Sequence, residues 1–93
     1  MINLNSMIKR EEHSVSALMD EGLAIINIEN NAYYFLNSVS RRIWELLDTP
    51  LSVKGLCDRL MDEFSTSQHQ CQADVLDFLT RFHREGMIDI LAD

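Results

Sequence analysis

The chain has 93 residues, 46% hydrophobic and 25% charged, a composition that suits one small domain with one core and leaves no long disordered tail. Eight Lys and Arg stand against fifteen Asp and Glu, a formal net charge of −7. Nucleic-acid phosphates and anionic membrane surfaces are bound by the opposite balance, so a basic or neutral partner is the electrostatically easier one.

Residues 1–13 open on Met1-Ile2-Asn3-Leu4-Asn5-Ser6-Met7, which has neither the basic start nor the apolar run of a secretory signal. They end in the charged run Lys9-Arg10-Glu11-Glu12, and the expectation is a solvated lead-in to a single domain over 14–91. Ser14-Val15-Ser16-Ala17-Leu18 alternates polar and apolar, the pattern of a half-buried strand. Asp20-Glu21-Gly22 is a turn signal, and Leu23-Ala24-Ile25-Ile26-Asn27-Ile28 is a β-branched run that predicts a second strand. Glu29-Asn30-Asn31 follows; asparagine tolerates positive φ, so a hairpin turn forms there without glycine. Tyr33-Tyr34-Phe35-Leu36 is the third strand, and two short connections in a row predict an antiparallel meander.

From Asn37 onward the apolar period changes to that of helices. Asn37 or Ser38 caps a first helix whose buried face carries Val39, Ile43, Trp44, Leu46 and Leu47, and which ends before Pro50. Ser52 caps a second, with Val53, Leu56, Cys57, Leu60, Met61 and Phe64 at three- and four-residue spacing. Ser65-Thr66-Ser67 breaks it, and a third helix runs from about Gln68 to Glu85 with Gly86 as its C-terminal cap. Met87-Ile88-Asp89-Ile90-Leu91 is a short extended tail folding back on the core. Three antiparallel strands followed by three helices make an α+β domain with a winged helix-turn-helix-like layout, the sheet placed first.

The residues that carry chemistry elsewhere are poorly placed for it here, so the chain reads as a non-enzyme. A thiol–imidazole pair would need Cys57 beside His13 or His69, but Cys57 falls in the middle of an apolar helix face where nothing lowers its pKa. Structural zinc takes four ligands, often in close pairs; Cys57, His69, Cys71 and His83 lack that spacing, and His69 and Cys71 diverge on one helix. No metal or other cofactor is expected, and three glycines leave no phosphate loop. Cys57 and Cys71 read as reduced, buried small hydrophobes of a cytoplasmic protein. A DNA-reading third helix is disfavoured, because Asp74, Asp77, Arg81, Arg84 and Glu85 nearly cancel and the acidic half would meet the base edges.

The aromatic strand is the most informative local feature. Alternate residues face alternate sides of a sheet, so Tyr34 and Leu36 point inward. Tyr33 and Phe35 then need cover from the tail, the third helix or a bound peptide. Phe78 is a similar surplus on the third helix, whose apolar arc is wider than a simple stripe.

The stretch Leu23-Ala24-Ile25-Ile26-Asn27-Ile28-Glu29-Asn30-Asn31-Ala32-Tyr33-Tyr34-Phe35-Leu36-Asn37, followed by Arg42-Ile43-Trp44-Glu45-Leu46-Leu47, resembles the PqqD-like family. Asp74-Val75-Leu76-Asp77-Phe78-Leu79 and Glu85-Gly86-Met87-Ile88 resemble its closing helix and tail, so the likeness covers roughly residues 14–90. The resemblance implies a domain that binds the leader segment of a ribosomally made precursor peptide. The leader would add as a strand beside the third strand, against the third helix. The residues implied are Tyr33, Tyr34, Phe35 and Leu36 with Asp74, Val75, Asp77, Phe78, Arg81 and Phe82. As a free-standing chain with Tyr-Tyr-Phe-Leu-Asn, it is most similar to the leader-binding proteins of lasso-peptide pathways. Their usual partner is a separate cysteine protease that removes the leader, beside an ATP-dependent cyclase. The PQQ-synthesis protein, which serves a radical-SAM enzyme, is the sibling alternative. The turn Glu29-Asn30-Asn31-Ala32 departs from the family, where a glycine is common.

Overall fold

The computed structural model describes residues 2–12, 14–20 and 22–92, so His13 and Glu21 of the readings above lie outside the described residues. In chain order the elements are β1 (Met7–Arg10), β2 (Ser14–Met19), β3 (Gly22–Asn27), β4 (Tyr33–Leu36), α1 (Ser38–Leu46), β5 (Leu51–Ser52), α2 (Val53–Glu63), α3 (Gln68–Arg84) and β6 (Ile88–Ala92). The strands form two antiparallel sheets, ordered β2-β3-β4 and β5-β1-β6.

The first sheet is the expected meander. Its second hairpin closes on the Asn27 N–H donating to the Ala32 carbonyl at 2.9 Å, and the Asn31 N–H donates back to the Asn27 carbonyl at 2.8 Å. Asn31 takes φ +57°, the left-handed conformation that asparagine tolerates and most side chains do not. The Asn27 and Asn30 side-chain carbonyls accept from the backbone of Glu29 and Ala32, so three asparagines hold the turn that glycine would otherwise make.

The second sheet corrects the expectation of a solvated lead-in and of one sheet only. β1 pairs with β6 on one side (Ile8 opposite Ile90) and with β5 on the other (Ile8 opposite Leu51), and Ile8 is fully buried. Only four residues of this strand carry the signal and two of them are charged, while their partners lie more than forty positions away. The charged run is not simply solvated. The Arg10 guanidinium lies 5.5 Å from the Trp44 ring centroid and donates to the Trp44 carbonyl at 3.1 Å. The β1–β6 pair, which joins residues 7–10 to 88–92, is thereby anchored on α1.

Each helix begins on a side chain that accepts a free backbone N–H: Asn37 from Ser40, Ser52 from Gly55, and Ser67 from Gln70. At the end of α3 the N–H of Gly86 donates to His83 and that of Met87 to Phe82, the paired bonds of a Schellman cap, with Gly86 at φ +74°. The core gathers Leu23, Ile25 and Leu36 from the meander under Ile43, Trp44 and Leu47 of the α1 region, Leu56 and Leu60 of α2, and Val75, Phe78, Leu79 and Phe82 of α3. Two positions depart from the reading. Val39, expected on the buried face of α1, is exposed. β2, expected to be half-buried, exposes Val15 and Leu18 alike: Val15 shares the outer face with Ile26 and Tyr33, and Leu18, opposite buried Leu23, lies on the edge strand where it stays 67% exposed.

Trp44 is 3% exposed, edge-on to Phe82 and under Arg10. Trp44→Ala should therefore lower stability by about 3–5 kcal/mol, read as a shift of the urea midpoint at unchanged slope. A variant with the wild-type midpoint would place this ring outside the core.

Candidate functional site

β4 is the last strand of its sheet, so one of its edges has no strand partner among the described residues. Hydrogen-bonded and non-hydrogen-bonded pairs alternate along an antiparallel ladder. The bond from Asn27 to Ala32 fixes the phase, which makes Ile25–Tyr34 and Leu23–Leu36 the bonded pairs. The backbone N–H and C=O groups of Tyr33 and Phe35 therefore point away from β3, toward the free edge. An edge of this kind is a template for another extended chain.

α3 forms the opposite wall. The space between it and β4 is a groove of about 220 Å³, lined by Tyr33–Leu36 on one side, Phe78, Arg81 and Phe82 on the other, and Ser40 at one end. An aromatic cluster sets the distance between the walls. Phe78 stacks on Phe82 at 4.2 Å, and Phe82 meets Tyr34 at 5.3 Å and Trp44 at 6.0 Å between ring centroids. The Tyr34 hydroxyl donates to Glu85 at 3.3 Å, which joins the strand to the end of α3; burial, and then the negative charge of Glu85, push its pKa up.

Of the residues singled out in the sequence, seven meet in this groove: Tyr33, Tyr34, Phe35, Leu36, Phe78, Arg81 and Phe82. Asp74 and Val75 line a neighbouring apolar pocket of about 220 Å³ with Val39, Leu60, Phe64 and Cys71. Val75, Phe78 and Phe82 follow at three- and four-residue spacing, so both cavities lie along one face of α3. Asp77 is exposed and faces Arg81 at 4.0 Å, and Asp74 accepts from Gln70 at 2.8 Å, so both carboxylates are solvated and locally paired. Phe78 is not the surplus it reads as. It is 6% exposed, and the wide apolar arc of α3 serves the aromatic cluster. The tail and α3 leave Tyr33 and Phe35 uncovered, whereas Leu36 is buried and Tyr34 half-buried as their alternation requires. Sequence reasoning missed Val39, Ser40, Leu60 and Phe64 at the cavity walls; Val39 and Phe64, apolar residues at helix ends, carried the only signal.

Among the described residues, those considered for catalysis and metal binding do not assemble into a site. Cys57 and Cys71 are free and buried, and the Cys71 thiol faces the Cys57 carbonyl at 3.7 Å. Burial pushes the Cys57 thiol up to about 12 and raises Cys71 as well, which disfavours the thiolate a nucleophile needs. His69 and His83 are exposed on α3. Among the described residues no three metal-ligating side chains come together. A third, larger cavity of about 370 Å³ lies between β1, β2 and α1, where Lys9, Arg10, Glu11, Glu12 and Asp48 give it mixed charge.

Neither thiol should react with a maleimide in the folded protein at pH 8, and both should react in denaturant. Because the folded pKa of Cys57 lies above the unfolded value, its contribution to stability is fully present below about pH 9 and is lost as pH rises toward about 12. Denaturation midpoints should fall over that alkaline interval; midpoints that rise there would contradict the burial of the thiol.

The family described as Coenzyme PQQ synthesis protein D (PqqD) matches residues 22–88. The chain is similar to the solved structure of TbiB1 in complex with the TbiA(beta) leader peptide, at 26% sequence identity and a TM-score of 0.79, over 91% of this chain and 99% of that one. It also resembles a lasso peptide synthetase B1 complexed with the leader peptide, at 17% identity and a TM-score of 0.69, over 88% and 96% of the two chains; at that identity the likeness concerns the fold alone. The comparison with curated proteins found no match.

Proposed function

This chain belongs to the coenzyme PQQ synthesis protein D family, and from that premise we propose that it is a non-catalytic adaptor that captures the leader of a ribosomally made precursor peptide and presents it to a processing enzyme. The observation that carries the reading is the free edge of β4 facing α3 across an open groove. The leader lies there as an added strand, antiparallel or parallel to β4, its backbone bonded to Tyr33 and Phe35 and its inward side chains against Phe78, Arg81 and Phe82. Asp74 and Asp77 on the rim of α3 attract a basic residue of the leader as a secondary, salt-sensitive contribution. The structural likeness to a leader-peptide complex supports this reading.

Main-chain bonds supply affinity here and side chains set the register. Each bond contributes about 0.5–1.5 kcal/mol net, and a buried apolar side chain about 1.5–3 kcal/mol. Ordering a flexible leader offsets several kcal/mol of that gain. The balance corresponds to a dissociation constant on the order of 10⁻⁶ to 10⁻⁷ M.

In this reading the meander and the three helices form a winged helix-turn-helix-like unit whose third helix recognises peptide. The acidic Asp74 and Asp77 on its exposed flank argue against duplex DNA. The partner is a separate leader-removing cysteine protease of a lasso-peptide pathway, acting in the cytoplasm. The family description favours one second reading, a peptide chaperone serving a radical-SAM enzyme in PQQ synthesis. Titration against the leader peptides of the two pathways separates them.

Proline at position 35 tests the geometry. Phe35 is exposed and its backbone groups point to the free edge, so Phe35→Pro removes one edge donor and leaves the ladder to β3 bonded. Calorimetric titration should show leader affinity falling about tenfold or more for Phe35→Pro and by less than about threefold for Phe35→Leu. Equal affinities for the two variants would exclude strand addition at this edge.

A further inference from the structure

The meander has a second face, and it faces no other part of the described chain. Opposed residues of an antiparallel sheet share a face, so the register places Val15, Ile26 and Tyr33 in one row and Ala17, Ala24 and Phe35 in the next. Met19 and Gly22 form the third row. Val15 is 56% exposed, Met19 49%, Ile26 42%, Tyr33 62% and Phe35 52%. Five large apolar side chains thus lie side by side in water, which is the mark of an interaction surface and not of scattered surface hydrophobes. The face is built, not frayed. The Phe35 ring lies over Gly22 and Ala24 is buried, and a Cβ at Gly22 would overlap the Leu36 carbonyl.

Charge selects what covers it. The eight Lys and Arg residues are Lys9, Arg10, Arg41, Arg42, Lys54, Arg59, Arg81 and Arg84, so residues 11–40 contain none. The hairpins at the two ends of the face carry Asp20 and Glu29. Two copies stacked face to face would set acidic hairpin against acidic hairpin in either orientation. A partner with an apolar centre rimmed by Lys and Arg meets complementary charge at Asp20 and no cation of residues 11–40. The face is also continuous with the leader edge, because β4 supplies both Tyr33 and Phe35 to it, and a leader strand added beside β4 would extend it by one strand.

We infer that the outer face of β2, β3 and β4 is the docking surface for the processing enzyme, which presents an apolar patch rimmed by basic side chains. The inference rests on the adaptor reading above, and it divides the work of one sheet. The edge takes the peptide, and the face takes the enzyme that acts on it.

The test uses the full chain, its leader peptide and the purified cysteine leader protease, with the double variant Val15→Glu/Met19→Glu and, separately, Asp20→Lys. These positions are exposed and lie away from the β4 edge. The double variant should keep its thermal midpoint and leader affinity while binding the protease, with or without leader present, about tenfold or more weakly. Asp20→Lys, a substitution at an exposed turn residue, should weaken the protease complex at low salt and less so at high salt. Unchanged protease binding by both variants overturns the inference and leaves leader capture standing. A wild-type chain that fails to bind the protease overturns it too, whereas failure to bind leader alone counts against the adaptor reading. A wild-type dimer in sedimentation equilibrium that the double variant dissolves would assign the face to self-association and overturn it likewise.

Discussion

Everything proposed for this molecule depends on the unpaired backbone edge of β4. Backbone donors and acceptors must be satisfied somewhere, and among the described residues no strand pairs with those of Tyr33 and Phe35, which leaves them to water or another chain. Natural sheets usually blunt such an edge with lysine, proline or a bulge. The sequence Tyr33-Tyr34-Phe35-Leu36 has none of these, and its pairing with β3 runs without a shift. α3 stands across a groove from this edge, so a chain that adds there also meets Phe78, Arg81 and Phe82.

The position of α3 is in turn a packing result. Phe82 touches Tyr34 on the strand, Trp44 on α1 and Phe78 on its own helix, so one aromatic cluster fixes strand, groove wall and core together. Arg10 caps the cluster from β1 and hydrogen-bonds the α1 backbone, which couples the second sheet to the same point. The Schellman cap at Gly86 turns the chain sharply into β6, and β6 closes the sheet with β1. A groove residue such as Phe82 is therefore also a core residue, and its truncation would confound binding with folding. Phe35, by contrast, contributes its backbone to the edge and its ring to the outer face.

The sequence disclosed the local features well. The β-branched run Leu23–Ile28, the aromatic strand Tyr33–Leu36, the three- and four-residue spacing in the helices, the asparagine turn and the glycine cap all have near-neighbour causes, and each stands in the structure within a residue or two. The inward assignment of Tyr34 and Leu36 followed from alternation alone. What stayed hidden was non-local. Met7–Arg10 becomes a strand only because residues near 51 and 90 arrive beside it, and no local pattern announces partners that distant. Phe78 read as a groove residue because a wide apolar arc looks the same whether peptide or protein fills it. β2 alternates like a half-buried strand, yet it is an edge strand whose inward Leu18 and outward Val15 both remain in water.

The most direct test of the central claim is amide hydrogen exchange by the chain with and without leader peptide at moderate salt, where charge attraction is screened and strand pairing persists. Strand addition predicts that the Tyr33 and Phe35 amides, unprotected in the free chain, slow on binding while those of Ser14–Met19 do not change. Protection confined to Ser14–Met19 would put the peptide on the opposite edge of the sheet and contradict the account.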